Sequence, residues 1–144
     1  MEILPHFWIS YYKENFKNFK NINIIIHLSK NEEYIKYKNI EEIRVPIDYN
    51  DKNTLEEQNN IMYQQLNDIT DYIHTNIINN HNILLLGYSH KQDIDTIIIA
   101  YYIKYGKITI YNSILFLKTK KNDIFIPKCL FYNALNKFYE YNNK

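Results

Sequence analysis

One segment, from Ile83 to Tyr102, constrains the fold more than any other part of the chain, and it reads ILLLGYSHKQDIDTIIIAYY. Its first apolar run, Ile83–Leu86, predicts a buried strand, and the polar stretch Gly87–Asp93 predicts a short loop. The apolar residues of Ile94–Lys104 predict a helix. A strand, a loop and a helix N-terminus in this order direct several backbone N–H groups at one point, which suits an anion.

The remaining sequence alternates strand and helix patterns. Strands are predicted over residues 2–9, 24–28 and 40–46, and a short helix over residues 12–20. Thr54 and Glu57 have the spacing of a capping box, and apolar residues at helical spacing then predict a long amphipathic helix to about Ile78.

The C-terminal third of the sequence predicts two more helices. Gly106 is expected to end the preceding helix as a left-handed cap, and Thr109 is expected to open a helix that runs to about Lys120. Pro127 is expected to begin the last helix, which runs to about Tyr141. Strands interleaved with helices predict an α/β sandwich: a central, mostly parallel β-sheet flanked by helices, with Gly87 at the carboxyl end of a central strand.

Composition narrows the class of protein. The 144 residues are predicted to form a single domain, residues 1–144. A net charge of +1 does not favour binding to nucleic acid or to an anionic membrane. The sequence has neither a signal-peptide pattern nor an apolar run of membrane-spanning length, and its single cysteine, Cys129, excludes an intramolecular disulfide. We therefore expect a soluble cytoplasmic protein without a cofactor.

Four residue types, Ile, Asn, Lys and Tyr, make up more than half of the chain. Either AT-rich codons favour these amino acids, or the tyrosines were selected for binding. We favour codon bias, which is consistent with the genome of a large DNA virus or of an intracellular parasite.

The strand–loop–helix segment resembles the phosphate loop of the protein tyrosine phosphatases, which reads Cys-x5-Arg with His before it and Ser or Thr after it. Aligned through Thr96 and Ala100–Tyr101, the nucleophile position holds Gly87 and the arginine position holds Asp93. The flanking His and Ser/Thr positions hold Leu86 and Ile94. Each reactive group of the motif is replaced.

The resemblance extends over nearly the whole chain and points to the small dual-specificity phosphatases. Their opening strand, their second strand, the strand that enters their general-acid loop and their C-terminal helices are similar to Glu2–Ile9, Phe19–Ser29, Ile43–Asp48 and Asn112–Lys128, respectively. The resemblance implies a dual-specificity phosphatase-like fold. It also places a degenerate general-acid loop at Asp48, Tyr49 and Asp51, with Tyr49 at the acid position.

The degenerate phosphate loop lacks a nucleophile by this alignment. A phosphatase of this type attacks phosphorus with a thiolate, whereas Gly87 has no side chain and is interpreted as a tight turn. Ser89 is a poor substitute, because its neighbour His90 is badly placed to take its proton. The loop consists of Gly87, Tyr88, Ser89, His90, Lys91, Gln92 and Asp93.

Asp93 reverses the charge of the arginine that grips phosphate. A carboxylate about 4 Å from a unit negative charge costs roughly 4 kcal/mol at an effective dielectric constant near 20. As a structural residue, Asp93 is expected to be the N-cap of the helix that starts at Ile94, with Asp95 adding a favourable charge. We expect phosphate binding to be weak.

Other readings of the polar residues are less favoured. A metal site at His90, Asp93 and Asp95 lacks the usual ligand spacing, so no metal is predicted. His74 and His81 are expected to be solvated.

The leading hypothesis is a catalytically inactive dual-specificity phosphatase homologue, poxvirus-type if viral, that binds a protein. The partner is a phosphoprotein or a substrate of an active phosphatase, and a homodimer is an alternative. Tyr49 and Tyr88 are candidate contacts.

One competing hypothesis is an enzyme with altered hydrolytic chemistry at Asp48, Asp51, His90 or Asp93. Another is RNA binding at Lys118, Lys120 and Lys121, a cluster that is more simply read as a solvated helix end.

Overall fold

The computed structural model describes residues 1–11, 21–29, 37–47, 52–88, 91–125 and 128–144. The predicted helix over residues 12–20 and Pro127 lie outside these ranges. The described elements are β1 (Glu2–Leu4), β2 (Phe7–Tyr11), β3 (Ile24–Leu28), β4 (Glu41–Val45), α1 (Leu55–Ile78), β5 (Ile83–Gly87), α2 (Lys91–Gly106), α3 (Ile110–Lys118) and α4 (Tyr132–Asn142).

The strands form one mostly parallel sheet in the order β1-β2-β5-β3-β4. β5 pairs in parallel with β2 on one side and with β3 on the other, and β3 pairs in parallel with β4. Only the β1–β2 pair is antiparallel among the described strands. The predicted α/β class is confirmed, and Gly87 ends the central strand.

The sheet buries both faces, and the alternation of side chains along each strand assigns residues to a face. Ile83 and Leu85 of β5 belong to the main core that the helices cover. Leu84 and Leu86 of the same strand join Ile25 in a second, smaller cluster on the opposite face. Continuous apolar runs are therefore required in β3 and β5, as the sequence has them.

The first predicted strand, residues 2–9, is instead two strands. Pro5 has no N–H to donate to a sheet ladder, and His6 adopts a left-handed conformation with φ 72°. A proline followed by a residue of positive φ makes a tight turn, so the chain reverses between β1 and β2.

α1 begins and ends where the sequence predicts. The Thr54 hydroxyl accepts the Glu57 N–H at 3.1 Å, as expected of an N-cap. The side chain of Glu57 accepts a bond from the side-chain amide of Asn53 at 2.9 Å, rather than from the backbone N–H that the predicted capping box requires.

One buried polar residue of α1 also organises the C-terminal helix. The Asn59 side chain accepts the Ala134 N–H and donates to the Leu130 carbonyl, each at 2.9 Å. Phe131, the residue before α4, supplies no side-chain cap of its own. Asn59 therefore satisfies a free donor at the start of α4 from a different helix. α4 begins at Tyr132 rather than at Pro127, so that boundary was predicted wrongly.

α2 is the central helix, and its side chains from Gln92 to Ile103 are all buried. It starts at Lys91, three residues before the predicted start. It also runs through Gly106, whose φ is not positive; the left-handed residue is Lys107, with φ 58°. The predicted cap at Gly106 is therefore wrong by one residue.

α3 agrees with its prediction, because the Thr109 hydroxyl accepts the Asn112 N–H at 3.1 Å and the helix ends at Lys118. None of the helices in the described part of the chain combines the length and the apolar character that crossing a membrane requires.

Candidate functional site

The candidate site lies at the carboxyl ends of the three central parallel strands. Gly87 ends β5, and its register partners are Tyr11, the last residue of β2, and Leu28, the last residue of β3. α2 starts only four residues after Gly87. In open α/β sheets ligands bind at this edge, so the topology of a phosphate site is present.

Gly87 closely approaches the side chain of Ile94. Its φ is not in the left-handed region, and it is the last residue of β5. A Cβ added at Gly87 would lie 2.8 Å from Ile94 Cδ1 and 3.1 Å from Ile94 Cγ1. A side chain at the nucleophile position would therefore have to displace Ile94, which itself stands where the resemblance expects Ser or Thr.

Asp93 lies in the first turn of α2 and is only 2% exposed. It is not the N-cap, because the helix has already begun at Lys91. A carboxylate in the first turn still complements the positive end of the helix dipole. The negative charge is therefore held at the anion-binding end of the helix.

Gln92 explains why the first turn of α2 starts so early. Its side-chain amide donates to the Lys128 carbonyl at 3.0 Å and accepts the Leu130 N–H at 2.9 Å. The Thr96 hydroxyl donates to the Gln92 carbonyl at 2.6 Å. These bonds fix Gln92 in helical conformation against residues 128–130.

Cys129, the only cysteine of the chain, lies between Lys128 and Leu130, the two residues that bond the Gln92 side chain. Burial raises the pKa of its thiol to about 11. The thiol is therefore protonated at neutral pH, and a thiol is a far weaker nucleophile than a thiolate.

The only arginine of the chain lies outside the strand–loop–helix segment. Arg44 lies on β4 and is exposed. Its register partner is His27 of β3, and β3 lies between β4 and β5.

A buried ion pair beside Tyr11, the register partner of Gly87, was missed by the sequence analysis. Asp95 is 1% exposed, and its carboxylate accepts a bond from Lys121 Nζ at 3.0 Å. The same ammonium lies 5.5 Å from the centroid of the Tyr11 ring, and it contacts Asp123 at 3.4 Å. Asp95 is thus not a surface charge at a helix end, and Lys121 is not part of a solvated lysine cluster.

Burial sets the charges of this pair. It raises the pKa of Asp95 against the attraction of Lys121. Burial also opposes the charge of Lys121, but the bond to Tyr11 and the attraction of Asp95 raise the pKa of Lys121 overall. The ammonium is therefore charged and engaged with its own neighbours. The sequence does not reveal Lys121 as the partner of Asp95, because the two residues are 26 positions apart.

A second network ties the loop to the opposite face of the sheet. The Tyr88 hydroxyl lies 2.6 Å from His27 Nδ1, and His27 Nε2 lies 3.0 Å from a Glu42 carboxylate oxygen. The other Glu42 oxygen accepts the Tyr37 N–H at 2.9 Å. Burial lowers the pKa of His27, although Glu42 opposes this effect. Tyr88 is half-buried by this contact, which limits the ring surface that it offers to a partner.

Several predicted site residues cannot be placed. Ser89, His90, Asp48, Tyr49 and Asp51 lie outside the described ranges, and of Lys91 only the backbone is described. In the part of the chain that is described, no group of three or more His, Cys, Asp or Glu side chains is arranged to hold a metal ion.

His74 is not solvated as predicted. Its Nδ1 lies 3.0 Å from the Tyr101 hydroxyl, and its ring stacks on that of Tyr105 at 3.8 Å between centroids. His81 is exposed and its Nδ1 lies 2.9 Å from the side-chain oxygen of Asn76.

Comparison with known proteins finds solved structures of similar fold, whereas comparison by sequence finds no match. No protein-family model matches the chain, and a search of curated proteins found no match. The fold is similar to that of human DUSP28, with a TM-score of 0.75 over 97% of this chain and 95% of that one, at 12% identity.

Two further solved structures agree. A human tyrosine phosphatase-like serine/threonine/tyrosine-interacting protein gives a TM-score of 0.77 at 14% identity, with 99% of this chain and 97% of that chain covered. A mouse protein assigned as a dual-specificity phosphatase and complexed with zinc tungstate gives 0.75 at 12% identity, with 97% and 86% covered. Identities this low establish the fold alone. The chain has a dual-specificity phosphatase-like fold, as the sequence resemblance implied.

Proposed function

We propose that this protein is a catalytically inactive dual-specificity phosphatase homologue that binds another protein. The observation that carries the proposal is the pair of substitutions in the degenerate phosphate loop: Gly87 at the nucleophile position and a buried carboxylate, Asp93, at the arginine position.

The absence of a nucleophile side chain at Gly87 is supported by its surroundings. Ile94 fills the space that a Cβ would need. The only thiol of the chain, Cys129, is held protonated by burial. A covalent phosphoenzyme of the phosphatase type therefore has no candidate cysteine.

Charge supports the same proposal. The buried cation among the described residues, Lys121, is paired with Asp95. Asp93 places a negative charge at the helix end that would hold the phosphate. A phosphoryl dianion would meet repulsion where an active relative supplies a bidentate arginine.

Binding to a protein is the role that remains for such a fold. We propose a cytoplasmic protein that binds a phosphoprotein or the substrate of an active phosphatase, or that forms a homodimer. The biased composition suggests a viral source of the poxvirus type. The alternative of altered hydrolytic chemistry rests on Asp48, Asp51 and His90, outside the described residues. RNA binding is less favoured, because Lys121 of the lysine cluster is engaged in an ion pair with Asp95.

The proposal is tested by incubating the purified protein with phosphotyrosine and phosphothreonine peptides, beside an active dual-specificity phosphatase as the positive control. We expect no release of phosphate above the blank. A clear rate in the wild-type protein that disappears in Asp93→Ala would overturn the proposal, because it would make Asp93 a catalytic residue.

A further inference from the structure

α3 carries apolar residues on two sides: Ile110, Ile114 and Leu117 pack against the core, and a second set is exposed. Six of its nine residues are apolar or aromatic, but the two buried ones are Leu117 and Ser113. The Ser113 hydroxyl is buried without a hydrogen-bond partner within the described structure. The exposed apolar groups are therefore additional to the core-facing stripe that a surface helix needs.

The exposed apolar groups form one ridge. Tyr111 is 70% exposed, Leu115 is 45% exposed and Phe116 is 42% exposed. Tyr111 and Leu115 are separated by four residues, so they lie on the same side of the helix, and Phe116 adjoins them. The Phe116 ring also packs edge-on against Tyr102 of α2 at 5.1 Å, which fixes its orientation. Contiguous apolar surface of this kind marks interaction sites.

The rim of the ridge is basic. Lys107, Lys118 and Lys120 are all exposed and flank the two ends of α3. No aspartate or glutamate occurs in the sequence between Asp95 and Asp123. A partner that covers the ridge therefore has to bring negative charge with its apolar anchors.

We propose that the α3 face, defined as Tyr111, Leu115 and Phe116 with the rim of Lys107, Lys118 and Lys120, binds an amphipathic helix of another protein whose apolar stripe is bordered by Asp and Glu. This inference rests on the proposed protein-binding role, and it names the surface and the class of partner. Helices of this type dock by apolar anchors at i, i+4 and i+7.

A second copy of the chain fits this surface poorly. A two-fold axis on the α3 face sets the same patch against itself, so the lysines of one copy face those of the other. A membrane fits poorly as well, because only Tyr111 and Leu115 project freely and the third anchor is packed on α2. Interfacial helices bind in proportion to the apolar area that they insert.

The test uses two fluorescent helical peptides of about 16 residues that share leucine anchors at i, i+4 and i+7. One carries Glu at every rim position and the other carries Lys. Fluorescence anisotropy with the full chain is expected to show binding of the Glu peptide at least tenfold tighter than that of the Lys peptide, with a preference that shrinks as salt rises.

Three variants sharpen the result. Tyr111→Ser with Leu115→Ser is expected to weaken binding of the Glu peptide at least tenfold. Lys118→Glu with Lys120→Glu is expected to reverse the preference between the peptides. Ile78→Ser removes another exposed apolar group, 63% exposed at the end of α1, and is expected to change nothing.

Other outcomes would overturn the inference. These are failure of both peptides to bind, equal binding of the two, or indifference of binding to Tyr111→Ser with Leu115→Ser. Binding to phosphatidylserine vesicles, or self-association in sedimentation, that is lost in that double variant would assign the ridge to a membrane or to a second copy. Phosphopeptide turnover is measured separately, so an active enzyme would defeat the proposed function without obscuring the peptide result.

Discussion

Single residues decide the chemistry of the candidate site. In the proposed alignment Asp93 takes the arginine position; it is buried in the first turn of α2, and Ile94 lies in the space beside Gly87. Neither replacement requires a change of backbone topology. The strand–loop–helix unit is therefore compatible with the proposed replacement of the reactive groups.

The buried Asp95–Lys121 ion pair leads to a prediction about the stability of the fold. Lys121→Met leaves Asp95 buried without its cation, so we expect a loss of about 3–5 kcal/mol in the free energy of unfolding. The exposed Lys118→Met is the matched control and should stay within about 0.5 kcal/mol of the wild type. Urea denaturation at neutral pH measures both.

The sign of the pH dependence provides a further check on that variant. Burial raises the pKa of Asp95, so the folded state holds its proton more tightly than the unfolded state does. The penalty of Lys121→Met should therefore shrink as the pH falls from neutral and Asp95 is protonated. A penalty that is constant with pH, or a stable Lys121→Met protein, would contradict the buried pair.

His27 makes a pH prediction of the opposite sign. Burial lowers its pKa below the ordinary value of 6.5, so the folded state binds fewer protons than the unfolded state. The stabilisation is present above pH 6.5 and is lost as the pH falls through the lower, folded-state pKa. We expect His27→Gln to reduce the slope of stability against pH in this range, whereas the exposed His81→Gln should leave it unchanged. Identical slopes in the wild type and in His27→Gln would refute the assignment.

At the scale of helices, the cap of α4 is supplied across an interface. Asn59→Ala leaves the Ala134 N–H and the Leu130 carbonyl without their partner, and an unpaired buried group costs about 1–3 kcal/mol. We expect a loss of at least about 2 kcal/mol in thermal or urea unfolding. Asn60→Ala, one residue along and exposed, is the control. Equal stabilities of the two variants would show that α4 does not depend on Asn59.

Restoring the motif is a test of the loop and α2 together. Gly87→Cys alone is expected to show no hydrolysis of p-nitrophenyl phosphate, because Ile94 crowds the new side chain and Asp93 still repels the substrate. Gly87→Cys with Asp93→Arg and Ile94→Ser relieves both obstacles and is expected to recover slight turnover. Activity in the single variant would show that the effect of Asp93 is smaller than proposed.

Element boundaries show what the sequence could and could not predict. Helix α1 was placed correctly because its N-cap at Thr54 and its apolar period are local signals. The start of α2 was missed because Gln92 is held by residues 128 and 130, which no local pattern reveals. The strand over residues 2–9 was not divided because the turn at Pro5–His6 interrupts a run that is otherwise apolar.

At the scale of the molecule, the order of strands and helices was sufficient to predict the α/β class, and similarity to solved structures confirms the dual-specificity phosphatase-like fold. The electrostatics of the site were not predictable in the same way. Asp95 was interpreted only as a favourable charge at the start of a helix, and Lys121 as part of a solvated cluster, because ion pairs between residues distant in sequence leave no periodic signal. The same limit applies to Tyr88 and His27, which are 61 residues apart.

The most direct test of the account is a calorimetric titration of the wild-type protein with tungstate, an oxyanion of phosphate-like shape. The account predicts no saturable heat up to about 10 mM tungstate, which corresponds to a binding free energy weaker than about 3 kcal/mol. Saturable micromolar binding that inorganic phosphate displaces would contradict it, because the helix end that carries Asp93 would then still accept a doubly charged ligand.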